Sequence, residues 1–260
     1  MLSTIKKQLW CLLNPFIRHI FILPCYRHRF NNPDVTILSS NCLGGCIAHD
    51  LKLRFNSPTV NLWMTPSDFI RFCHDLHHYL HSDLTFIDST VSGVEDYPVA
   101  RIDDITIYFQ HYHTEEEART KWKQRCWRIN ANNIRCIMTE KNGCTDEDLA
   151  EFSKLPYPTA AIVHKEKKDI PNTHVVRGFE HEEEVGNVIA YLPNHYMGHK
   201  YYDDFDYVTF LNRWLTVTLL SSRPLFPVLG FLSSRARAMC SRDVFLFLSL
   251  SLNLVGFRIS

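Results

Sequence analysis

The sequence predicts an α/β fold in which a mixed, largely parallel sheet is flanked by helices in a Rossmann-like layering. Short apolar runs bounded by turn residues alternate along the chain with longer segments of helical periodicity, as parallel sheets require. The chain has 260 residues, of which 45% are hydrophobic and 13% aromatic. This composition is sufficient to bury a large core in one domain, alone or with a small appended unit.

The first predicted strand covers residues 35–38, after the turn signal at 31–34. The loop 39–45 follows it, and we expect a helix over 46–53. Residues 59–63 have the β-branched and aromatic composition of a second strand.

The next predicted helix runs from Pro66 to about His81, with Thr65 as its N-cap and proline at its first position. Residues 97–100 and 105–110 should then pair around a turn at Asp103 and Asp104. Another helix begins after its cap, Thr114.

The remaining predicted elements continue the alternation of strand and helix. Strands are expected at 134–139, 159–164 and 173–177, and a short helix at 146–155. We predict three parts: a lead-in helix over 1–30, an α/β domain over 31–212, and an atypical tail over 213–260.

The two ends of the chain have distinct patterns. Trp10, Phe16 and Phe21 alternate with basic residues, so the lead-in helix either packs on the domain or makes a peripheral contact with a membrane surface. The tail is rich in Leu, Ser and Arg, and its most apolar stretch, 244–257, is too short to cross a bilayer comfortably. We expect a disordered or aberrant terminus there rather than an anchor.

The charge and cysteine content restrict the classes of partner. The formal net charge is zero and the pI is about 7.2, which disfavours nucleic-acid binding. The nine cysteines have irregular spacing, so a cytoplasmic protein with free thiols is expected rather than a disulfide scaffold. No zinc motif is formed, and we predict no metal site; a cofactor cannot be identified.

The loop after the first strand is the leading candidate site, because ligands of α/β sheets bind beyond the carboxyl ends of strands. Ser40 and Cys42 are candidate nucleophiles, and Asn41 is a candidate donor to an oxyanion. Gly44 and Gly45 would let backbone amides approach an anion at the helix N-terminus. The alternative is a tight turn whose polar side chains satisfy the helix end.

Histidines provide the candidate bases. His49 lies about one helical turn beyond the loop, and His111 ends a predicted strand. Four further histidines share a spacing of three or four residues on the predicted helix 66–81, which suits either a metal site or, as we favour, a solvated polar face: His74, His77, His78 and His81.

Two further groups of polar residues suit anionic or metal-bound ligands. Arg125, Arg128 and Asn130 are candidates for binding phosphate or carboxylate, against the alternative of a solvated basic face. Asp203, Asp204 and Asp206 form a carboxylate run that fits either a divalent metal or a polar loop, and we favour the loop.

Several segments between about residues 30 and 212 follow the pattern of a known family in order, among them 39–45, 56–62, 66–69, 128–130 and 205–208. This series resembles the bacterial exopolysaccharide-biosynthesis domain of unknown function. The resemblance implies an α/β fold and a role near surface-glycan assembly, and it adds Asn61 to the candidate ligand-binding residues. Leu43 departs from the aromatic residue expected at its position. The segments that carry the resemblance include Ser39-Ser40-Asn41-Cys42-Leu43-Gly44-Gly45, Asn56-Ser57-Pro58-Thr59-Val60-Asn61-Leu62, Pro66-Ser67-Asp68-Phe69, Arg128-Ile129-Asn130 and Phe205-Asp206-Tyr207-Val208.

We therefore expect a transferase that modifies a glycan precursor with an acyl or sugar group, located in the cytoplasm or peripherally at the inner membrane. Its partners would be the glycan precursor and either an acyl donor or a nucleotide sugar. Two alternatives stay open: a non-catalytic module that binds ligands or organises glycosyltransferases, and a glycosyltransferase with a divalent metal at the carboxylate run.

Overall fold

The computed structural model describes residues 10, 13–94, 96–193 and 197–213. Most of residues 1–12 and all residues after Arg213 lie outside this description. The expectations for the tail therefore fall outside the described residues. Residues 13–17 are helical, and the helix continues through a π-helical segment, Arg18–Ile22.

The secondary structure elements follow the predicted alternation. The helices are α1 (Leu23–Arg29), α2 (Leu43–Asp50), α3 (Pro66–His74), α4 (Leu76–His81), α5 (Ser89–Ser92), α6 (Glu115–Cys126), α7 (Asp146–Ser153) and α8 (Tyr207–Asn212), with a 3-10 helix at Tyr201–Asp204. The strands are β1 (Thr36–Ser39), β2 (Thr85–Ile87), β3 (Val99–Ile102), β4 (Ile105–Tyr108), β5 (Ile134–Thr139), β6 (Thr159–Val163) and β7 (Thr173–Val175).

Two sheets form the framework, and together they confirm the α/β class. The first has four parallel strands in the order β1-β5-β6-β7, and the second has three antiparallel strands in the order β2-β3-β4. Every residue of β1, β5 and β6 is buried, as expected for a parallel sheet covered on both faces.

Alternate residues of the parallel sheet enter two separate cores. Leu38, Cys136 and Met138 pack with the antiparallel sheet and with helices α3, α4, α6 and α7. Ile37 and Ile137, one position away, pack with α2, the 3-10 helix and α8. Because side chains alternate across a strand, the same strands fill both cores, and helices cover both faces in the predicted layering.

Local side-chain signals account for the helix starts. Thr65, Thr114 and Thr145 have extended backbones and accept hydrogen bonds from the backbone N–H three residues on. Each cap satisfies one of the amides that a helix N-terminus leaves without a partner. The caps predicted at Thr65 and Thr114 are therefore confirmed.

The predicted helix over 66–81 is interrupted at one residue. Asp75 has φ −122° and ψ 56°, and its carboxylate accepts the N–H of His78 at 3.3 Å. Aspartate competes in this way with continued helix formation by capping a new helix. Two short helices therefore replace the single predicted one.

The strand predicted over 59–63 is wrong. Ser57 Oγ accepts the N–H of Thr59 at 3.2 Å, and Asn61 has φ +65°. These features form turns. Within the segment 59–63, Trp63 alone makes a β-bridge, which is an isolated one with Tyr108. The β-branched composition of this segment reflects burial in a turn rather than pairing in a sheet.

Three other boundaries differ from the predictions. Helix α2 begins at Leu43, three residues earlier than expected, because the loop after β1 is short. The antiparallel hairpin is confirmed, although β3 starts at Val99, and a positive φ of 50° at Asp103 forms its turn. Strand β2 was not predicted; it has only three residues and is partly exposed.

Arg18 ties the N-terminal helical segment to the rest of the domain. Its guanidinium contacts Asp50 Oδ2 at 2.5 Å and Asp203 Oδ2 at 2.6 Å, and it donates to Tyr202 Oη at 2.9 Å. Arg18 is 2% exposed. Burial alone raises the pKa of Asp203, but hydrogen bonds from His199 and Arg18 outweigh it and hold that pKa below its usual value.

We expect Arg18→Met to lower the free energy of unfolding at neutral pH by about 3–5 kcal/mol, because it leaves buried carboxylates without their cation. A lowered pKa in the folded state contributes stability above the ordinary aspartate pKa of about 3.9, and this contribution is lost as pH falls through the folded-state pKa. Urea unfolding should therefore show a difference between variant and parent that shrinks below about pH 4.

Arg29→Met is the matched control, since it removes the exposed ion pair of Arg29 with Asp206. Its cost should stay below about 1 kcal/mol. Equal effects of the two substitutions would contradict a specific role for the buried cluster.

Candidate functional site

The carboxyl edge of the parallel sheet brings together residues that directly follow three strands. Ser40 and Asn41 follow β1, Glu140 follows β5, and His164 follows β6. Because β1, β5 and β6 are parallel neighbours, these positions share one edge of the sheet. This edge of the sheet is the candidate site.

Ser40 and Asn41 join the ends of β1 and β5. Ser40 is buried, and its Oγ accepts the backbone N–H of Thr139 at 3.3 Å. The Asn41 amide donates to Thr139 Oγ1, and its Oδ1 accepts the N–H of Leu43 at 3.1 Å. Asn41 therefore satisfies the start of α2, the structural role weighed against oxyanion binding.

Gly44 and Gly45 permit close packing of α2. A Cβ on Gly44 would lie 2.7 Å from Ser39 Cβ and 3.1 Å from Ile37 Cγ2. A Cβ on Gly45 would lie 3.3 Å from Val60 Cγ1. Both glycines are buried and neither has a positive φ. The close approach of α2 to β1 is therefore sufficient to explain why residue 44 is a glycine.

Cys42 is the N-cap residue of α2 and is half-buried. Burial raises the pKa of its thiol to about 11, with a further contribution from Cys46. A nucleophilic cysteine requires the opposite shift, because the thiolate is the reactive form. Its position at the carboxyl edge still suits contact with a substrate.

The two histidines predicted as bases lie apart from the nucleophile candidates. His49 is in the last turn of α2, with a side chain that is 72% exposed. His111 is exposed in the turn after β4, and its N–H donates to the Asn61 carbonyl at 3.3 Å. Among the described residues, no hydrogen bond joins either histidine to Ser40 or Cys42.

The predicted anion-binding residues separate into two environments. Arg125 is buried; its Nη1 donates to the carbonyl of Val60 at 2.9 Å and to Tyr112 Oη. Arg128 and Asn130 instead line an open cleft at the other edge of the sheet. The sequence grouped these residues by proximity along the chain, but Arg125 faces the core and Arg128 does not.

Sequence reasoning missed a pair of residues at the carboxyl edge. His164 Nδ1 lies 2.5 Å from Glu140 Oε2, which also accepts the His164 backbone N–H at 3.0 Å. The side chains of His164 and Glu140 are 7% and 5% exposed. The rule that selected the loop 39–50, position after a buried strand, applies equally to these two residues.

Lys167 completes the cluster. Its Nζ lies 2.8 Å from Glu140 Oε1 and 2.6 Å from Asp146 Oδ1. Burial lowers the pKa of Lys167, but hydrogen bonds to Asp146 and Glu140 outweigh that effect and raise it. Glu140 is therefore paired on both of its oxygens.

The geometry defines the tautomer of neutral His164. The Glu140 carboxylate accepts a hydrogen bond from Nδ1–H, so Nε2 carries the lone pair and is the nitrogen that can accept a proton. No hydrogen-bond partner of Nε2 is present in the part of the chain that the structure describes. Orientation of a histidine by a carboxylate is a common arrangement for general bases.

Two of the histidines and all three aspartates considered as metal ligands have other partners. His78 Nε2 lies 2.7 Å from Asp103 Oδ2, and His81 Nδ1 lies 2.7 Å from the carbonyl of His77. The three aspartates of the late carboxylate run each pair with a different arginine: Asp203 with Arg18, Asp204 with Arg177 and Asp206 with Arg29. Within the described ranges, no three His, Cys, Asp or Glu side chains are grouped to hold a metal ion.

Among the described residues, no helix combines the length and apolar character needed to cross a membrane.

Comparison with known proteins gives one family and one relative. Residues 15–212 match the family described as "Domain of unknown function (DUF1919)". A protein of Haemophilus influenzae described as "Uncharacterized protein" is 37% identical over 196 residues, which cover 75% of this chain and 92% of that protein. These matches support one part of the predicted resemblance, namely that the chain contains a domain of unknown function. Neither description names a glycan or a reaction.

We expect Cys42 to alkylate slowly at neutral pH, because little of a thiol with a pKa of about 11 is ionised. Its reaction with iodoacetamide, followed by mass spectrometry of the peptide, should accelerate about tenfold per pH unit between pH 8 and 10. A rate that is already maximal below pH 8 would contradict this prediction.

Gly44→Ala should lower the free energy of unfolding by about 1–3 kcal/mol, because its Cβ overlaps Ser39. Gly45→Ala is the matched control, and its looser contact should be offset by the higher helix propensity of alanine. Denaturant unfolding measures both variants, and equal losses would refute the packing explanation for Gly44.

Proposed function

The chain belongs to the family of the domain of unknown function DUF1919, and we propose that it is a transferase that modifies a surface-glycan precursor at the carboxyl edge of its parallel sheet. The surface-glycan assignment is supported by the resemblance found in the sequence. The choice of a transferase is supported by the Glu140–His164 pair, which carries the proposal.

In the proposed reaction, a hydroxyl group of the glycan precursor attacks the carbonyl carbon of an activated acyl donor. His164 Nε2 takes the hydroxyl proton as the new C–O bond forms, and Glu140 stabilises the resulting imidazolium. The bond between the acyl carbon and the donor's leaving group breaks, and the leaving group receives the proton from His164. The transfer is direct, without an acyl-enzyme intermediate.

Direct transfer is favoured by the state of the two nucleophile candidates. Burial raises the pKa of Cys42, and Ser40 Oγ is occupied as an acceptor of a backbone N–H. The roles that remain for Ser40, Asn41 and Cys42 are shaping the floor of the site and contacting the substrate. Asn41 donates to Thr139, the residue that precedes Glu140 in the chain.

The proposed compartment is the cytoplasm or the cytoplasmic side of the inner membrane, as the free-thiol pattern of the sequence favours. The donor class is an acyl thioester. A nucleotide-sugar donor, which would make the protein a glycosyltransferase, is the alternative donor that a binding experiment distinguishes.

A second candidate function is a non-catalytic module that binds a ligand or organises glycosyltransferases. It is favoured by the near-complete burial of His164 and Glu140, which is also the pattern of a structural ion pair. A non-catalytic module would bind its ligand without turning it over. A transferase would instead lose its product, the modified glycan, when His164 is replaced.

We expect His164→Gln to abolish the glycan modification in cells that depend on this chain, because glutamine can still bond Glu140 but cannot act as a base. The surface glycan should be compared by mass spectrometry with that of parent cells, and the melting temperature of the purified variant should show that it folds. His111→Gln and His49→Gln, at exposed histidines, are the matched controls and should leave the glycan unchanged.

Thermal-shift measurements with acyl-CoA and nucleotide-sugar panels identify the donor class, since at equal concentration a ligand that binds more tightly stabilises the folded state more. Stabilisation by nucleotide sugars alone would replace acyl transfer with glycosyl transfer. A folded His164→Gln variant with a normal surface glycan would overturn the transferase proposal.

A further inference from the structure

An open cleft of about 680 Å³ lies at the amino edge of the parallel sheet, on the opposite side from the candidate catalytic site. Asp34 comes just before β1 and Asn130 before β5, so the cleft borders the start of both strands. The residues that line it are Pro33, Asp34, Arg54, Asn56, Gln124, Trp127, Arg128 and Asn130.

Trp127 is the most unusual residue of the cleft. It directly follows α6 and is 91% exposed. An indole left almost fully in solvent beside a cleft provides a flat apolar face that a ligand can cover. A sugar ring can lie flat on the indole, with its C–H groups against the aromatic face.

Two arginines give the cleft its charge. Arg54 is exposed and Arg128 is half-buried. Within the residues that the structure describes, neither guanidinium has a carboxylate at ion-pair distance, whereas Arg18, Arg29 and Arg71 each have one. An unpaired guanidinium offers a planar fork of donors to a carboxylate or phosphate group.

Amide side chains provide hydrogen-bonding groups around the same space. Asn56 and Gln124 line the cleft and can bond hydroxyl groups as donors or acceptors. Asn130 is held in place, because its Nδ2 donates to the Asp34 carbonyl at 3.2 Å and its N–H donates to Thr36 Oγ1 at 2.9 Å. One wall of the cleft is therefore anchored to β1.

We propose that this cleft is a binding site for an anionic saccharide. A sugar ring stacks on Trp127, its carboxylate or phosphate group binds Arg54 and Arg128, and its hydroxyl groups bond Asn56 and Gln124. This site is separate from the catalytic pair and does not depend on the transferase proposal, because a non-catalytic module would use it equally.

The charges and the types of side chain that line the cleft favour a saccharide over a nucleic acid. The chain has no net charge, and the cleft combines two arginines with one acidic side chain, Asp34. Single-stranded nucleic acids use extended basic grooves with several stacking aromatics. One indole surrounded by amide groups instead matches a short polar ring bearing one anionic group.

The test uses the full-length chain and three probes: a hyaluronan hexasaccharide as a uronate-bearing glycan, glucose 1-phosphate as a sugar phosphate, and isomaltohexaose as a neutral glycan. Binding is measured by calorimetry and by protection of tryptophan fluorescence from acrylamide. Because the chain has five tryptophans, the contribution of Trp127 is the difference between the parent chain and Trp127→Phe. We expect one or both anionic probes to bind and to protect the indole, and the neutral glycan to bind at least about tenfold more weakly.

Trp127→Ala and Arg128→Gln should each weaken binding about tenfold or more, and Trp127→Phe should restore most of the affinity lost in Trp127→Ala. Lys123→Gln is the matched control, since it removes an exposed cation from α6 at a residue that does not line the cleft. It should bind like the parent.

Three outcomes would overturn the proposal: no binding of either anionic probe at millimolar concentration, equal affinity for the neutral glycan, or preference for a single-stranded oligonucleotide of matched charge. The transferase proposal is tested separately by His164→Gln. Loss of binding in Trp127→Ala with unchanged glycan modification in cells would separate the two sites.

Discussion

The pairing of β1 with β5 is the contact from which the rest of the molecule is organised. The two strands are adjacent and parallel although about a hundred residues separate them, and side chains join them at both ends. Thr36 Oγ1 accepts the Asn130 N–H at the amino end, and Ser40 Oγ accepts the Thr139 N–H at the carboxyl end. Because these bonds hold the two strands in register, they also position the walls of the cleft and the candidate site at the carboxyl edge.

Buried charges in this domain are stabilised by partners from distant segments. Arg18 requires Asp50 and Asp203, and Glu140 requires His164 and Lys167. Taking such groups out of water is costly, so each cluster forms only when the fold is complete. These clusters therefore contribute specificity for one arrangement of helices and strands rather than a large net stability.

The contrast between the two edges of the sheet suggests how chemistry and recognition are divided. The carboxyl edge has a buried pair in which a carboxylate orients an imidazole, and it excludes most water. The amino edge has exposed groups, Trp127 and Arg54 among them, that suit reversible contacts with a soluble ligand. Low dielectric strengthens the hydrogen bond between Glu140 and His164 at the carboxyl edge, and the exposed groups at the amino edge are accessible to the ligand that we propose.

The amino-acid order was sufficient to predict strands β1, β5 and β6, the caps at Thr65 and Thr114 and the loop after β1, because periodicity and capping act within a few residues. It could not pair Glu140 with His164 or give Arg125 its buried bonds to Val60 and Tyr112, since these contacts join segments that meet only after the strands are ordered. The loop 39–50 remains part of the candidate site. Its proposed base is His164, which follows β6, because the strand order places β6 beside β5.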